Sequence, residues 1–566
     1  MVEATLSGTR FAVSRGRLRM ARTETWPVSD GRQRFSASHV LLSHLDCDVG
    51  DSYHKYKDDV ALLKQLNAKA YRFSISWSRV IPLGGRQDAI NQAGLQYYVN
   101  LVDELLANGI APMVTLFHWD LPQGLEDRYG GFLNKDEFVQ DYVHFAKLMF
   151  DVLGSKVKYW ITFNEPWCSS VLGYSVGQFA PGRTSDRTKS SVGDGSTEPW
   201  IAAHSILVAH GAAVKAYRDE FKARDGGMIG ITLNGDWAEP WDPSDAEDVK
   251  AAQRRLEFFV GWYGDPIYHG DYPASMREQL GERLPVFSEA ERAIVQGSND
   301  FYGMNHYTTN YVKHKSTPTE PNDFVGNLDT LFEDVNGHVI GPATQSPWLY
   351  SYSTGFRKLI NWISDRYGRP IIYVTENGTS VKGENDLPKE KILEDDFRVE
   401  YFRTYITALA EAVSLDKVDC RGYMAWSLME YVCRAPLTPH AILTARLAIL
   451  NGPTDTRRDS GLPTLTMPVA RRDIRRNRRR RWLSSSARFV TVRLAKVQIE
   501  NAGACHIITD GVGNIHDAMQ RGRRSRYLQW SDRNVGWSKS APGICLLIVR
   551  SFCGCGKIKV LTSVRK

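Results

Sequence analysis

Thr162-Phe163-Asn164-Glu165-Pro166 and Val374-Thr375-Glu376-Asn377-Gly378 carry the reading of this chain. Each closes an apolar, β-branched run with one glutamate. The run Val157–Phe163 is expected to be a buried strand that delivers Glu165, and Pro370–Thr375 another that delivers Glu376. Two carboxyl groups at the C-terminal ends of parallel strands suit chemistry that needs an acid and a nucleophile facing one bond.

The same pattern extends to either side. Seven continuous apolar runs read as strands covered on both faces: Ala70–Trp77, Ala111–His118, Tyr159–Glu165, Met228–Asn234, Asp300–Tyr307, Pro370–Glu376 and Cys420–Leu428. Helical patterns separate most of them. Leu95, Val99, Val102, Leu105 and Leu106 are expected to line one helix face, with Gly109 as its C-terminal stop, and Trp200–Phe221 is a second helix. Repeated strand–helix units predict a parallel sheet with right-handed crossovers. The fold class is therefore α/β, a (β/α)8 TIM barrel whose first strand and last helix are not recognisable. Residues 53–429 form the barrel domain. An atypical segment, 1–52, precedes it, and an atypical Arg-rich segment, 430–566, follows.

Composition narrows the class. Hydrophobic content of 42% with 24% charged residues supports a globular protein with ample core. The 15 Trp and 25 Tyr are a high share; such rings are core residues by default, and sugar-binding clefts also use them. The net charge of +7 owes much to Arg471, Arg472, Arg475, Arg476 and Arg478–Arg481. A solvated, disordered tail is the preferred reading of that block. A nucleic-acid module is disfavoured, because no stacking aromatics are interleaved with the arginines. Five of the 8 cysteines lie beyond residue 430, so there is no disulfide framework, and Cys553 and Cys555 lack partners at zinc-like spacing. No apolar run has membrane-spanning length, and the first 25 residues lack the apolar core of a secretory signal. A cytoplasmic location is the expectation.

Cleaving a glycosidic bond with retention needs one carboxyl group to protonate the leaving oxygen and a second, about 5–5.5 Å away, to attack the anomeric carbon. The acid must be held protonated and the nucleophile ionised. Arg72 is placed to hold Glu376 ionised and Tyr307 to donate to it, while Asn164 offers an amide to a sugar hydroxyl.

Five motifs carry a resemblance: YRFSISWSR at 71–79, TLFHWDLP at 115–122, TFNEPW at 162–167, GMNHYT at 303–308 and YVTENG at 373–378. Over about residues 51–429 the chain resembles glycoside hydrolase family 1, and looks most like intracellular fungal β-glucosidases. The resemblance implies hydrolysis of terminal β-D-glucosyl or related residues by double displacement, with Glu165 as acid/base and Glu376 as nucleophile. It implies that Arg72 and Tyr307 support the nucleophile, that His118, Trp119, Asn164, Asn305 and Trp426 hold the sugar, and that Trp348 lines the aglycone site. No cofactor or metal is implied, and the partners are small-molecule β-glucosides or oligosaccharides. The family's thioglucosidase branch replaces the acid/base with glutamine, so Glu165 favours an O-glycosidase. Asn377-Gly378-Thr379 forms a glycosylation sequon that is discounted, because it lies inside a catalytic motif.

The resemblance has gaps. Nothing in residues 1–52 matches the family's Tyr-Gln-x-Glu-Gly motif, and after Met429 the pattern stops, with Cys433 where a sugar-binding glutamate belongs and Arg434 where a tryptophan belongs. Both ends read as translation of a shifted frame or a retained intron. Part of residues 1–52 is expected to fill the first strand's place. Weak turnover follows as an expectation, as does a second reading of the chain as an inactive barrel that binds sugars or partners.

Overall fold

The computed structural model describes residues 52–430 apart from Leu393, with short strands outside that span. It divides into two units, Met1–Leu450 and Asn451–Lys566. In the second, Thr466–Pro468 pairs with Phe489–Thr491, Gln498–Ile499 with Cys505–His506, and Leu547–Val549 with Val560–Thr562, all antiparallel. The Arg471–Arg481 block, Cys433, Arg434, Cys553 and Cys555 lie outside the described residues.

Seven parallel strands run through the first unit in chain order: β1 (Ala70–Ser74), β2 (Ala111–Phe117), β3 (Tyr159–Asn164), β4 (Met228–Asn234), β5 (Tyr302–Asn305), β6 (Ile372–Asn377) and β7 (Cys420–Glu430). Each pairs only in parallel with its sequence neighbour among these seven. All seven expected strands are present. The Ala70–Trp77 run is shorter than expected, because Trp77 already opens the helical turn Trp77–Val80.

The eighth position is filled differently from the expectation. Thr444–Arg446 and Ile449–Leu450 lie antiparallel against β7, whereas Glu3–Leu6 and Thr9–Ala12 pair with each other. Short ladders satisfy part of the backbone that an absent parallel strand would leave open.

The interior is packed. Ala70, Met113, Ile161, Phe301, Tyr373 and Met424, from β1, β2, β3, the entry to β5, β6 and β7, meet in one buried layer at the N-terminal end of the strands. Outside, helix Gln92–Ala107 buries Gly94, Tyr97, Tyr98, Leu101, Val102 and Leu105, the stripe that a 3.6-residue period requires. Leu106 is 42% exposed, contrary to expectation, because neighbours one residue apart point about 100° away from each other and Leu105 already faces inward. Gly109 stops this helix with φ +71°. The second expected helix runs as Glu198–Ala216 and continues through a π-helical turn at Tyr217–Phe221. No helix among the described residues is long and apolar enough to cross a membrane.

Candidate active site

The C-terminal ends of β1 to β7 bring the predicted residues together. Arg72 stands on β1. His118 and Trp119 follow β2. Asn164 ends β3 and Glu165 follows it, Asn305 ends β5, Glu376 lies in β6 and Trp426 in β7. Both glutamates sit where a ladder slips register: between Ile161 and Asn164 on the β3–β4 side, and between Val374 and Glu376 on the β5–β6 side. Such irregularities re-aim side chains at barrel rims. Glu165 turns further, at φ +46°, a conformation that a non-glycine residue adopts at a cost. Pro166 then opens the helical turn that follows, where its missing N–H is no loss.

Glu376 is 3% exposed, and each of its oxygens has a donor. Arg72 Nη1 donates to Oε1 at 2.6 Å and the Tyr307 hydroxyl to Oε2 at 2.6 Å. The guanidinium also donates to the Thr375 carbonyl, to Thr115 Oγ1 and, at 2.6 Å, to Asn164 Oδ1. Asn305 Nδ2 donates to Asn164 Oδ1 at 3.1 Å and to Glu165 Oε1 at 2.7 Å. The amide of Asn305 is oriented by Thr375, whose hydroxyl donates to Asn305 Oδ1 and in turn accepts from Thr232. A continuous set of bonds thus joins the two glutamates through Arg72, Asn164 and Asn305.

The two carboxyl groups differ in surroundings. Burial, reinforced by the Glu376 charge, pushes the Glu165 carboxyl up to about 8, against the smaller opposing effects of Asn305, Cys168 and Arg72. Glu376 has a cation and a hydroxyl in direct contact. One carboxyl is set to carry a proton at neutral pH beside another that is hydrogen-bonded on both oxygens.

Around this pair, Asn164 Nδ2 meets His118 Nε2 at 3.1 Å, and the His118 ring lies nearly parallel to Trp426, at 20° with centroids 5.9 Å apart. Trp119 has φ +72°, and its indole donates to the Asn164 carbonyl at 2.9 Å, so this ring braces β3. Trp348 stands at the edge, 53% exposed, with its ring perpendicular to that of Tyr307. Gly378 has a steric reason: a Cβ there would run into the Trp426 carbonyl. The sequon asparagine, Asn377, is fully buried. Its amide donates to the His306 carbonyl and to Tyr401, and its oxygen accepts from Tyr423.

Sequence reading missed Cys168, which lies in the π-helical turn Cys168–Leu172 and donates to Glu165 Oε2 at 3.4 Å. A cysteine three residues after the glutamate, at the start of a helical turn, was the available signal. Among the described residues, no three His, Cys, Asp or Glu side chains cluster as a metal site.

The model of Glycosyl hydrolase family 1 matches residues 35–435. The chain belongs to that family. Beta-glucosidase 1B of Phanerodontia chrysosporium is 55% identical over 380 residues, which cover 67% of this chain and 69% of that protein. Among solved structures, a family β-glucosidase of the fungus Humicola insolens in complex with glucose is 61% identical, with a TM-score of 0.67, and covers 67% of this chain and 80% of its own. Beta-glucosidase 2 of Trichoderma reesei in complex with Tris is also 61% identical, with a TM-score of 0.65 over the same shares. Family membership makes this chain a glycoside hydrolase built on the family's TIM barrel.

Proposed function

We propose that this chain is a retaining β-glucosidase that acts on small-molecule β-glucosides or short oligosaccharides. Glu376 attacks the anomeric carbon while Glu165 protonates the departing oxygen. Glu165 then takes a proton from water, which releases the sugar. Arg72 and Tyr307 hold Glu376 as the nucleophile. His118, Trp119, Asn164, Asn305 and Trp426 position the sugar, and Trp348 offers an apolar edge to the aglycone. The names of the relatives support the substrate class. The observation that carries the roles is the asymmetry of the carboxyl pair: a buried glutamate pushed toward the protonated form beside one held by a guanidinium and a phenol.

The test is Glu376→Gly assayed on an aryl β-glucoside. Hydrolysis should be lost, and azide or formate should restore turnover by replacing the missing carboxylate. Wild-type activity without an anion, or no rescue on an activated substrate, would remove Glu376 from the mechanism. The shortfall in turnover expected from Cys433 and Arg434 concerns residues outside those the structure describes.

A further inference from the structure

Glu165 is held by two donors of unequal strength. Asn305 Nδ2 donates to Oε1 at 2.7 Å, and the Cys168 thiol to Oε2 at 3.4 Å. The asymmetry is built in. Thr375 fixes the Asn305 amide so that its N–H must face Glu165. Asn234, at the end of β4, donates its own Nδ2 to the Cys168 sulfur at 3.7 Å, which occupies the acceptor side of the sulfur and leaves S–H for the carboxylate. The thiol is buried, and its backbone N–H is tied to the Glu165 carbonyl at 2.9 Å, so residues 165 and 168 move as one turn.

A carboxyl group that receives a proton must place it on an oxygen that gives up a donor. Displacing a thiol costs less than displacing an amide, because S–H is the weaker donor. We infer that Cys168 is a positioning residue for catalysis: by holding Oε2 weakly, it makes that oxygen the one that carries the proton transferred to the leaving group, and it stabilises the carboxylate left behind. This rests on the acid/base role proposed for Glu165. In the first step, Oε2 releases its proton to the departing alcohol and then accepts a hydrogen bond from the thiol. In the second, Oε2 takes a proton from the attacking water and that hydrogen bond is given up. The thiol keeps its own proton throughout, consistent with burial pushing it well above its ordinary value.

The titratable groups around this turn are Glu376 on β6, Arg72 on β1 and Tyr307 beyond β5, which face Glu165, with Asp236 beyond β4 and Tyr263 in the helix Trp262–His269, which lie near the thiol. None of them is changed by substituting residue 168. The direction follows from the contact itself: a donor on Oε2 lowers the Glu165 pKa and so favours its carboxylate.

The experiment compares the basic limb of kcat/KM against pH for wild type, Cys168→Ala and Cys168→Ser in the full chain, using an alkyl β-glucoside whose leaving group needs protonation. Glu165→Gln is the control. Without a donor, Cys168→Ala should lose activity at higher pH than wild type, by ~0.5 in pH. The stronger hydroxyl of Cys168→Ser should shift the limb by a similar amount toward lower pH. The order Ser, Cys, Ala along the pH axis is the signature, and either variant alone fixes its sign if the other does not fold. Profiles that superimpose, or shift in reverse, overturn the role of Cys168 while leaving Glu165 as the acid, provided Glu165→Gln is inactive on the same substrate. An active Glu165→Gln overturns the acid assignment itself.

Discussion

Arg72→Met should destabilise the protein through the charge it strands, and the stability should return when that charge is removed as well. Arg72 is 2% exposed and donates to Glu376, Asn164, Thr115 and the Thr375 carbonyl. Treated as four independent charge-assisted bonds, these would sum to roughly 6–12 kcal/mol. They share one guanidinium and are not independent. The appropriate figure is the cost of breaking a buried ion pair, about 3–5 kcal/mol, because what remains is a desolvated carboxylate with Tyr307 as its remaining side-chain donor among the described residues. That is roughly a 10²- to 5 × 10³-fold loss in the folding equilibrium. Adding Glu376→Gln removes the stranded charge, so the double variant should be more stable than Arg72→Met alone by at least about 2 kcal/mol. Urea unfolding followed by tryptophan fluorescence, on the wild type, both single variants and the double variant, measures the coupling. Strictly additive costs would show that the pair contributes no coupled electrostatics, and would refute the claim that Arg72 is there to hold a charge.

The raised Glu165 carboxyl makes two linked pH predictions. Activity on alkyl β-glucosides should fall as pH rises through about 8, since the acid must be protonated to act. Stability should also fall with rising pH: the folded state binds this proton more tightly than the ordinary value of 4.5, so the contribution is complete below about 4.5 and is lost by about 8. Glu165→Gln should flatten that decline in a thermal-melt series. Tyr307→Phe deletes the 2.6 Å bond to Glu376 Oε2 and should slow the glucosylation step by ~10- to 100-fold in pre-steady-state kinetics, with little change in melting temperature. Gly378→Ala would push its methyl group into the Trp426 carbonyl and displace the ring that stacks on His118. Its expected signature is a raised KM for the sugar, and an unchanged KM would count against Trp426 as a sugar-binding surface.

The elements of the barrel were legible because strands buried on both faces must be apolar throughout, and all seven runs of that kind became strands. Glu165, Glu376, Arg72 and Tyr307 were legible from motifs that place each in a barrel strand or just beyond its end. What the residues could not show is how those ends are turned. The two ladder slips and the left-handed backbone at Glu165 and Trp119 arise from packing between strands, which leaves no local signature in a single sequence. Leu106 fell on the wrong face because two adjacent leucines satisfy an apolar count while geometry buries only one. Cys168 carried only a spacing signal, three residues after Glu165; the donor that orients its thiol, Asn234, lies 66 residues later in the chain.

The polar chain through Thr115, Arg72, Asn164, Asn305, Thr375 and Thr232 touches six of the seven strands. It works as a girdle drawn across the mouth of the barrel, and the groups that would perform the reaction are its knots. Slackening of that girdle would therefore misalign the chemistry before the fold is lost, so inactivation on warming should run ahead of the melt.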